Sequence, residues 1–226
     1  MSSKKADEKI KDDLLAHARI IVDTLNENRI NFWMYGGALL GYVRDGDLIP
    51  WDRDLDLFVW KKDYPKVLAL RKIFEKKGFR VLQKETSVAL YWGKQEITIA
   101  RYKLEGDIAT IRDRLITKNK LGNMIYFGLL VKAVQYKLKR TLRFLRWVLL
   151  KTNCCYSVTQ IVPAHFYLNL KKIDFFGLPL KVPKETKGYL EYTFGKDWRK
   201  PQKDFKYNPE YIFVVEGKKS LKSNIT

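Results

Sequence analysis

Apolar residues near the N-terminus recur at three- and four-residue steps. Ile10, Leu14, Ala18, Ile21, Val22 and Leu25 fall on one stripe, which predicts an amphipathic helix over 7–29. Asn31-Phe-Trp-Met-Tyr35 reads as a buried strand ending at Gly36-Gly37, a tight turn where a backbone without Cβ can approach a phosphate closely. Ala38–Arg44 predicts a short helix and Asp45-Gly46-Asp47 a turn, and Pro50 stops further helix. From Asp54 the chain alternates acid and aliphatic residues, then runs apolar to Trp60, the pattern of a strand entering a core. Tyr64, Val67, Leu68, Leu70 and Phe74 predict a helix over 63–77 that ends at Gly78. Strands are expected near Phe79–Gln83, Val88–Trp92 and Glu96–Tyr102.

The character changes after Asp113, because no acidic residue occurs from Arg114 to Lys172. Within 129–150, Leu130, Val131, Val134, Leu138, Leu142, Leu145 and Val148 form one helical stripe. Lys132, Lys139, Arg140, Arg143 and Arg146 fall opposite it. Such a basic amphipathic helix suits a membrane surface, and equally a packed helix with a solvated basic face. Further on come turn signals (Gly177, Pro179, Pro183, Gly188, Gly195, Pro201) and aromatic anchors (Phe166, Phe175, Phe176, Trp198). The pattern predicts an α+β fold in a single domain, 1–226. Its core sheet with flanking helices covers about 20–113 and 160–205. A basic amphipathic helical insertion covers about 114–155, and 206–226 is a charged, disordered tail.

Composition adds two constraints. With 46% hydrophobic residues in a chain of 226, a sizeable core is available. The formal charge of +19, from 44 Lys and Arg against 25 Asp and Glu, points to a polyanionic partner (nucleic acid, an anionic membrane or a phosphorylated substrate), the alternative being a surface merely rich in lysine. The only cysteines, Cys154 and Cys155, are adjacent, which excludes a disulfide framework. With His17 and His165 they match no zinc-ligand spacing. The start, Met-Ser-Ser-Lys-Lys, lacks an apolar signal region, and no stretch reaches the ~20 apolar residues of a membrane span. A cytoplasmic protein is expected, at most peripheral at the inner face of a membrane.

The chemistry concentrates in Asp52, Asp54 and Asp56. Side chains two apart on a strand share a face about 6.6 Å apart, so Asp54 and Asp56 project together while Leu55 and Leu57 turn inward. Paired carboxylates suit Mg²⁺, which one or two carboxylates hold together with substrate phosphates. Asp52 lies one step earlier, as a third ligand or a base. An isolated Asp-x-Asp arises by chance on surface strands. A hydrophobic strand, a Gly-Gly turn and a short helix before Asp54-Leu-Asp-Leu57 make the arrangement informative.

Gly37-Ala-Leu-Leu-Gly-Tyr-Val-Arg44 followed by Ile49-Pro-Trp-Asp-Arg-Asp-Leu-Asp-Leu57 closely resembles the LicD family, which includes bacterial phosphocholine transferases and the fukutin and fukutin-related ribitol-phosphate transferases. Tyr189-Leu-Glu-Tyr-Thr-Phe-Gly-Lys-Asp-Trp198 looks like the family's closing motif, so the resemblance spans roughly residues 20–205 with gaps. It implies a nucleotidyltransferase-like core and transfer of a phospho-alcohol from a CDP-activated donor to a glycan or its lipid-linked precursor, with Mg²⁺ or Mn²⁺. By position, Asp54 and Asp56 match the metal-binding carboxylates and Asp52 the acid opening the triplet. Gly36, Gly37 and Arg44 match the donor-side turn and a phosphate-facing cation, for which a guanidinium fork is suited. Arg44 read alone is also a helix-end residue capped on carbonyls.

The sequence departs from the family where a third carboxylate is usual, since Thr98 occupies that position. Glu96, two residues earlier on the same strand face, is a candidate substitute and Asp107 a more distant one; the third metal ligand stays unassigned, and a weakened or inactive enzyme is the alternative. His165 is a possible substrate donor or a structural residue. Trp51 and Trp92 are possible stacking platforms or core residues. The competing functions are a nucleotidyltransferase adding NMP to RNA, protein or a small molecule, and a non-enzymatic basic protein binding membrane or nucleic acid. With the phosphotransferase reading, nucleic acid is not the expected partner, and the basic helix would rest on an anionic membrane.

Overall fold

The predicted N-terminal stripe is buried: Leu14, Ala18, Ile21, Val22 and Leu25 are each at most 2% exposed and join one hydrophobic cluster with the sheet. The structure, a computed structural model, describes residues 3–52, 54–117, 155–202 and 213–216. In chain order these form α1 (Ser3–Glu27), β1 (Phe32–Tyr35), α2 (Gly36–Arg44), β2 (Asp54–Trp60), α3 (Tyr64–Ala69), α4 (Arg71–Lys76), β3 (Arg80–Gln83), β4 (Ser87–Trp92), β5 (Gln95–Glu105), β6 (Ile108–Thr117), β7 (Cys155–Pro163), α5 (His165–Leu168), β8 (Leu170–Phe175), β9 (Leu178–Pro183), α6 (Thr186–Phe194) and β10 (Phe213–Glu216).

The chain divides into two compact units, Met1–Ile111 with Val162–Tyr211, and Arg112–Ile161 with Ile212–Thr226. In the first, β1 pairs antiparallel with β2, β2 parallel with β5, β5 antiparallel with β4, and β4 antiparallel with β3. The one parallel pair needs a crossover, which α3, α4 and the β3–β4 hairpin supply. β2 is therefore central, and its run Leu57-Phe-Val59 is buried on both faces. β8 and β9 form a separate antiparallel pair that packs on α1 and β1. In the second unit β7 pairs antiparallel with β10.

Several expectations are corrected. The helix over 63–77 is two short helices meeting at Leu70, whose ψ of −5° leaves the α-helical range. Residues 114–117, assigned to the helical insertion, continue strand β6. Within the predicted disordered tail, Phe213-Val-Val-Glu216 is a strand, in keeping with its aromatic and β-branched content. The hairpin of β8 and β9 went unread: its turn residues Phe176 and Gly177 both have positive φ, 51° and 80°, which is a type I′ geometry. The basic stripe over 129–150 and the rest of the tail lie outside the described residues. Among the described residues no helix is long and apolar enough to cross a membrane.

Candidate active site

β2 carries the acids as its alternation dictates. Leu55 and Leu57 are buried, Asp54 is exposed and Asp56 half-buried on the opposite face. The parallel register sets Glu96 beside Asp54 and Thr98 beside Asp56, while Tyr35 of β1 flanks Asp56 on the other side. Neighbouring strands lie about 4.8 Å apart, so Asp54, Asp56, Glu96 and Thr98 make a two-by-two polar patch on one face. Asp52 precedes the strand. Its N–H donates to the Ile49 carbonyl at 2.9 Å, closing a turn with Pro50 in its second position. That turn brings the Asp52 carboxyl back over the start of α2.

The double glycine is where α2 meets these acids. Gly36 has φ +73°, a left-handed conformation that favours glycine, and a Cβ there would lie 3.3 Å from an Asp56 carboxylate oxygen. A Cβ on Gly37 would fall 1.8 Å from an Asp52 carboxylate oxygen, so no other residue fits without moving Asp52. Tyr35, the residue before the helix, makes no side-chain cap, so the first-turn N–H groups of α2 keep their partial positive charge beside the carboxyls.

The electrostatics are those of crowded acids. Burial, a hydrogen bond with Asp54 and the charges of Asp54 and Asp56 push the Asp52 carboxyl up to about 8. Burial and the charges of Asp54 and Glu96 push Asp56 up to about 7. Glu96 behaves oppositely. Burial acts to raise it, but hydrogen bonds from Lys84, Thr98 and Tyr91 and the Lys84 charge hold it below the usual carboxylate range. Lys84 Nζ and Thr98 Oγ1 both donate to Glu96 Oε1, at 3.1 and 3.0 Å.

Under the patch lies an aromatic floor. Tyr35 stacks on Phe58 with centroids 3.5 Å apart, and Phe58 meets Tyr102 edge-on at 4.2 Å. The buried Tyr167 and Tyr189 hydroxyls are 3.4 Å apart. Burial, first, pushes Tyr189 up to about 12, and its hydroxyl also feels the Asp56 charge and a hydrogen bond from the Gly36 backbone.

The structure thus brings Asp52, Asp54, Asp56, Glu96, Gly36 and Gly37 together. Arg44 stands apart. Eight residues along α2 place it about 12 Å from Gly36, and its guanidinium forks onto Asp45, Nε to Oδ1 at 2.8 Å and Nη2 to Oδ2 at 2.7 Å. Asp107 sits in the turn beyond the far end of β5, away from Glu96. His165 is exposed on α5, with Nε2 3.7 Å from Glu185. Trp51 is an exposed turn residue, and Trp92, also partly exposed, stacks on His17 at 4.5 Å. Sequence reasoning missed Lys84, Tyr91 and the tyrosine floor. Tyr91 falls in the continuous apolar run of β4, which shows no alternation that would single it out. Lys84 lies in the β3–β4 turn, where no pattern singles it out.

The carboxylates fit a divalent cation as a partial shell. Among the described residues no group of three or more His, Cys, Asp or Glu forms a ready-made cage. Two repelling oxygen donors that open toward solvent are the shell that phosphate oxygens and water complete around Mg²⁺.

Residues 29–127 match the family described as LicD/FKTN/FKRP, nucleotidyltransferase domain. No curated protein matches the chain in sequence. Among solved structures it is similar to the lincomycin-bound lincosamide antibiotic adenylyltransferase LnuA, at 11% identity over 77% of this chain and 83% of that one, with a TM-score of 0.43. It is also similar to ANT(2")-Ia in complex with adenylyl-2"-tobramycin, at 15% identity over 43% and 53%, with a TM-score of 0.33. A third is terminal uridylyl transferase 4 from Trypanosoma brucei with bound GTP, at 17% identity over 37% and 27%, with a TM-score of 0.29. These likenesses are partial and concern the fold. The family match is thus confined to residues 29–127, the segment that carries the double glycine and the acids, and over that segment the chain is similar to the LicD/FKTN/FKRP nucleotidyltransferase domain.

Proposed function

We propose that this protein is a metal-dependent phosphotransferase, moving a phospho-alcohol (phosphocholine, ribitol phosphate or glycerol phosphate) from a CDP-activated donor to a hydroxyl of a glycan or its lipid-linked precursor. The observation that carries the reading is the fit of the Gly36-Gly37 helix start against the Asp52 and Asp56 carboxyls, inside the segment that matches the family. Asp54 and Asp56 would hold Mg²⁺ or Mn²⁺, with Glu96 on the neighbouring strand as third carboxylate. The cation supplies neutralisation of charge on the transferring phosphoryl group.

The chain's own groups account for the rest. Beyond Gly36, whose backbone is bonded to the Tyr189 hydroxyl, the first-turn N–H groups of α2 suit the donor diphosphate, which the missing Cβ atoms let approach. The acceptor oxygen forms a bond to the phosphorus of the phospho-alcohol as the bond from that phosphorus to the CMP oxygen breaks, and CMP leaves. Asp52, raised to about 8 by burial and its acidic neighbours, is in its ionised form a stronger base than an ordinary carboxylate, and that form would take the proton the hydroxyl loses.

The test is a donor panel of CDP-choline, CDP-ribitol, CDP-glycerol and the four NTPs with Mg²⁺, following release of CMP or pyrophosphate. CMP release that vanishes in Asp54→Ala and in Asp56→Ala is the expected result. Pyrophosphate release from an NTP would show nucleotidyl transfer instead, and full turnover in either variant would remove the assignment of the acids.

A further inference from the structure

The far end of β2 carries a second feature, of opposite charge. Trp60 closes the strand six residues after Asp54, a separation of about 20 Å at ~3.3 Å per residue. Beside Trp60 is an open cavity of about 330 Å³ whose lining includes Asn31, Leu168, Lys171, Lys172 and Lys181. Lys61 and Lys62, both exposed, follow directly on Trp60.

Two properties of this face are costly unless something covers it. The antiparallel register of β8 and β9 sets Lys172 directly opposite Lys181, and like charges in that position destabilise a sheet. Among the described residues no carboxylate pairs with Lys171, Lys172 or Lys181. Lys181 Nζ only donates to Asn31 Oδ1, at 2.6 Å. Asp174, two residues beyond Lys172, is engaged by the Gly177 N–H. The second property is apolar exposure: Leu168 is 57% exposed at the rim.

Cations call for an anion, and the apolar groups select which kind. A nucleic acid would use open aromatic faces for stacking. Here the Trp60 ring is packed against Trp33 and Tyr167, with centroids at 5.0 and 6.4 Å. The exposed apolar group is an aliphatic side chain ringed by ammonium groups, the composition that inserts at a lipid headgroup boundary. We propose that this face docks on a membrane surface rich in anionic phospholipid, with a headgroup phosphate between Lys172 and Lys181 and Leu168 entering the acyl boundary. The surface lies at the other end of β2 from the carboxylate site.

The experiment is sedimentation of the full chain with phosphatidylcholine vesicles, with and without phosphatidylserine. Binding is expected only with phosphatidylserine. Replacing Lys171, Lys172 and Lys181 by Ala should weaken it about fivefold per lysine and about a hundredfold together. The melting temperature of the triple variant should hold or rise, since a like-charge pair is removed, which shows that a fold defect is not the cause. Leu168→Ser should weaken binding by an amount that salt does not change. A variant with Lys132, Lys139, Arg140, Arg143 and Arg146 changed to Gln separates the two basic regions. If that variant alone loses binding while the triple lysine variant binds like wild type, the proposal fails. It fails equally if the three lysines bind an oligonucleotide or inorganic phosphate while the vesicles are not bound.

Discussion

Asp56→Asn tests the electrostatics of the site directly. The Asp56 carboxyl rises from an ordinary 3.8 to about 7 when the chain folds. A group whose folded value is raised makes the native state bind more protons than the unfolded state between those two values, so stability falls as pH rises from about 4 to 7 and then levels off. The full rise corresponds to about 4 kcal/mol. Asp56 is half-buried, so solvent screens part of that, and a loss of about 2 kcal/mol is the realistic scale. Asparagine has nearly the same shape and no charge to desolvate. In EDTA, Asp56→Asn should therefore match wild type near pH 4 and exceed its stability by about 2 kcal/mol at pH 8, measured by urea unfolding at each pH. Asp52 remains in the variant and keeps its own decline, extending to about 8. Adding Mg²⁺ at pH 8 should raise the stability of wild type and leave the variant nearly unmoved, because cation binding adds to native stability only where the site binds it. A variant no more stable than wild type at pH 8 would refute the account of an uncompensated buried charge.

Other substitutions probe separate parts of the site. Gly37→Ala puts a methyl 1.8 Å from an Asp52 oxygen; turnover should collapse while stability falls by only about 1–2 kcal/mol, since Asp52 can swing out. Gly36→Ala forces alanine into φ +73°, and calorimetry should show a loss of about 1–2 kcal/mol. Thr98→Asp adds a carboxylate in register with Asp56; Mn²⁺ affinity by paramagnetic resonance should rise by about an order of magnitude, as added ligand charge tightens oxygen-ligand sites.

The parts legible in the sequence were those written in local periodicity. The helical stripe of α1 and the alternation at Asp54–Leu57 each express one burial pattern, and each formed as read. The β8–β9 hairpin was illegible because its turn is Phe176-Gly177 rather than Asn-Gly or Asp-Gly, so a phenylalanine takes a left-handed conformation (φ 51°) that no composition rule anticipates. At the site, Asp54 and Asp56 were legible as strand neighbours. The alternation puts Asp52 one step earlier along that strand, yet it lies in a turn, and its place over Gly37 depends on the chain reversal at Pro50. Lys84 was invisible for a similar reason: its partner Glu96 is twelve residues away and meets it only through the β4–β5 register.

The separation of Arg44 from the acids bears on how the donor is held. Read along the sequence, Gly36, Gly37 and Arg44 form one donor-binding set. In the fold the glycines and Arg44 occupy opposite ends of α2, and the guanidinium is already satisfied by both oxygens of Asp45. A fork with both arms engaged gains little by turning to a phosphate about 12 Å away. On the proposed reading, the positive charge facing a donor diphosphate would come from the N-terminal N–H groups of α2, from Lys84 across the strand edge, and from a metal held by the acids. Arg44→Lys should accordingly loosen the Asp45 clamp and lower the melting temperature, while leaving the KM for the CDP donor within about twofold of wild type, since a side chain about 12 Å along α2 from the glycines should change donor binding by under about 0.5 kcal/mol. A KM raised tenfold or more with an unchanged melting temperature would place Arg44 on the donor phosphates after all.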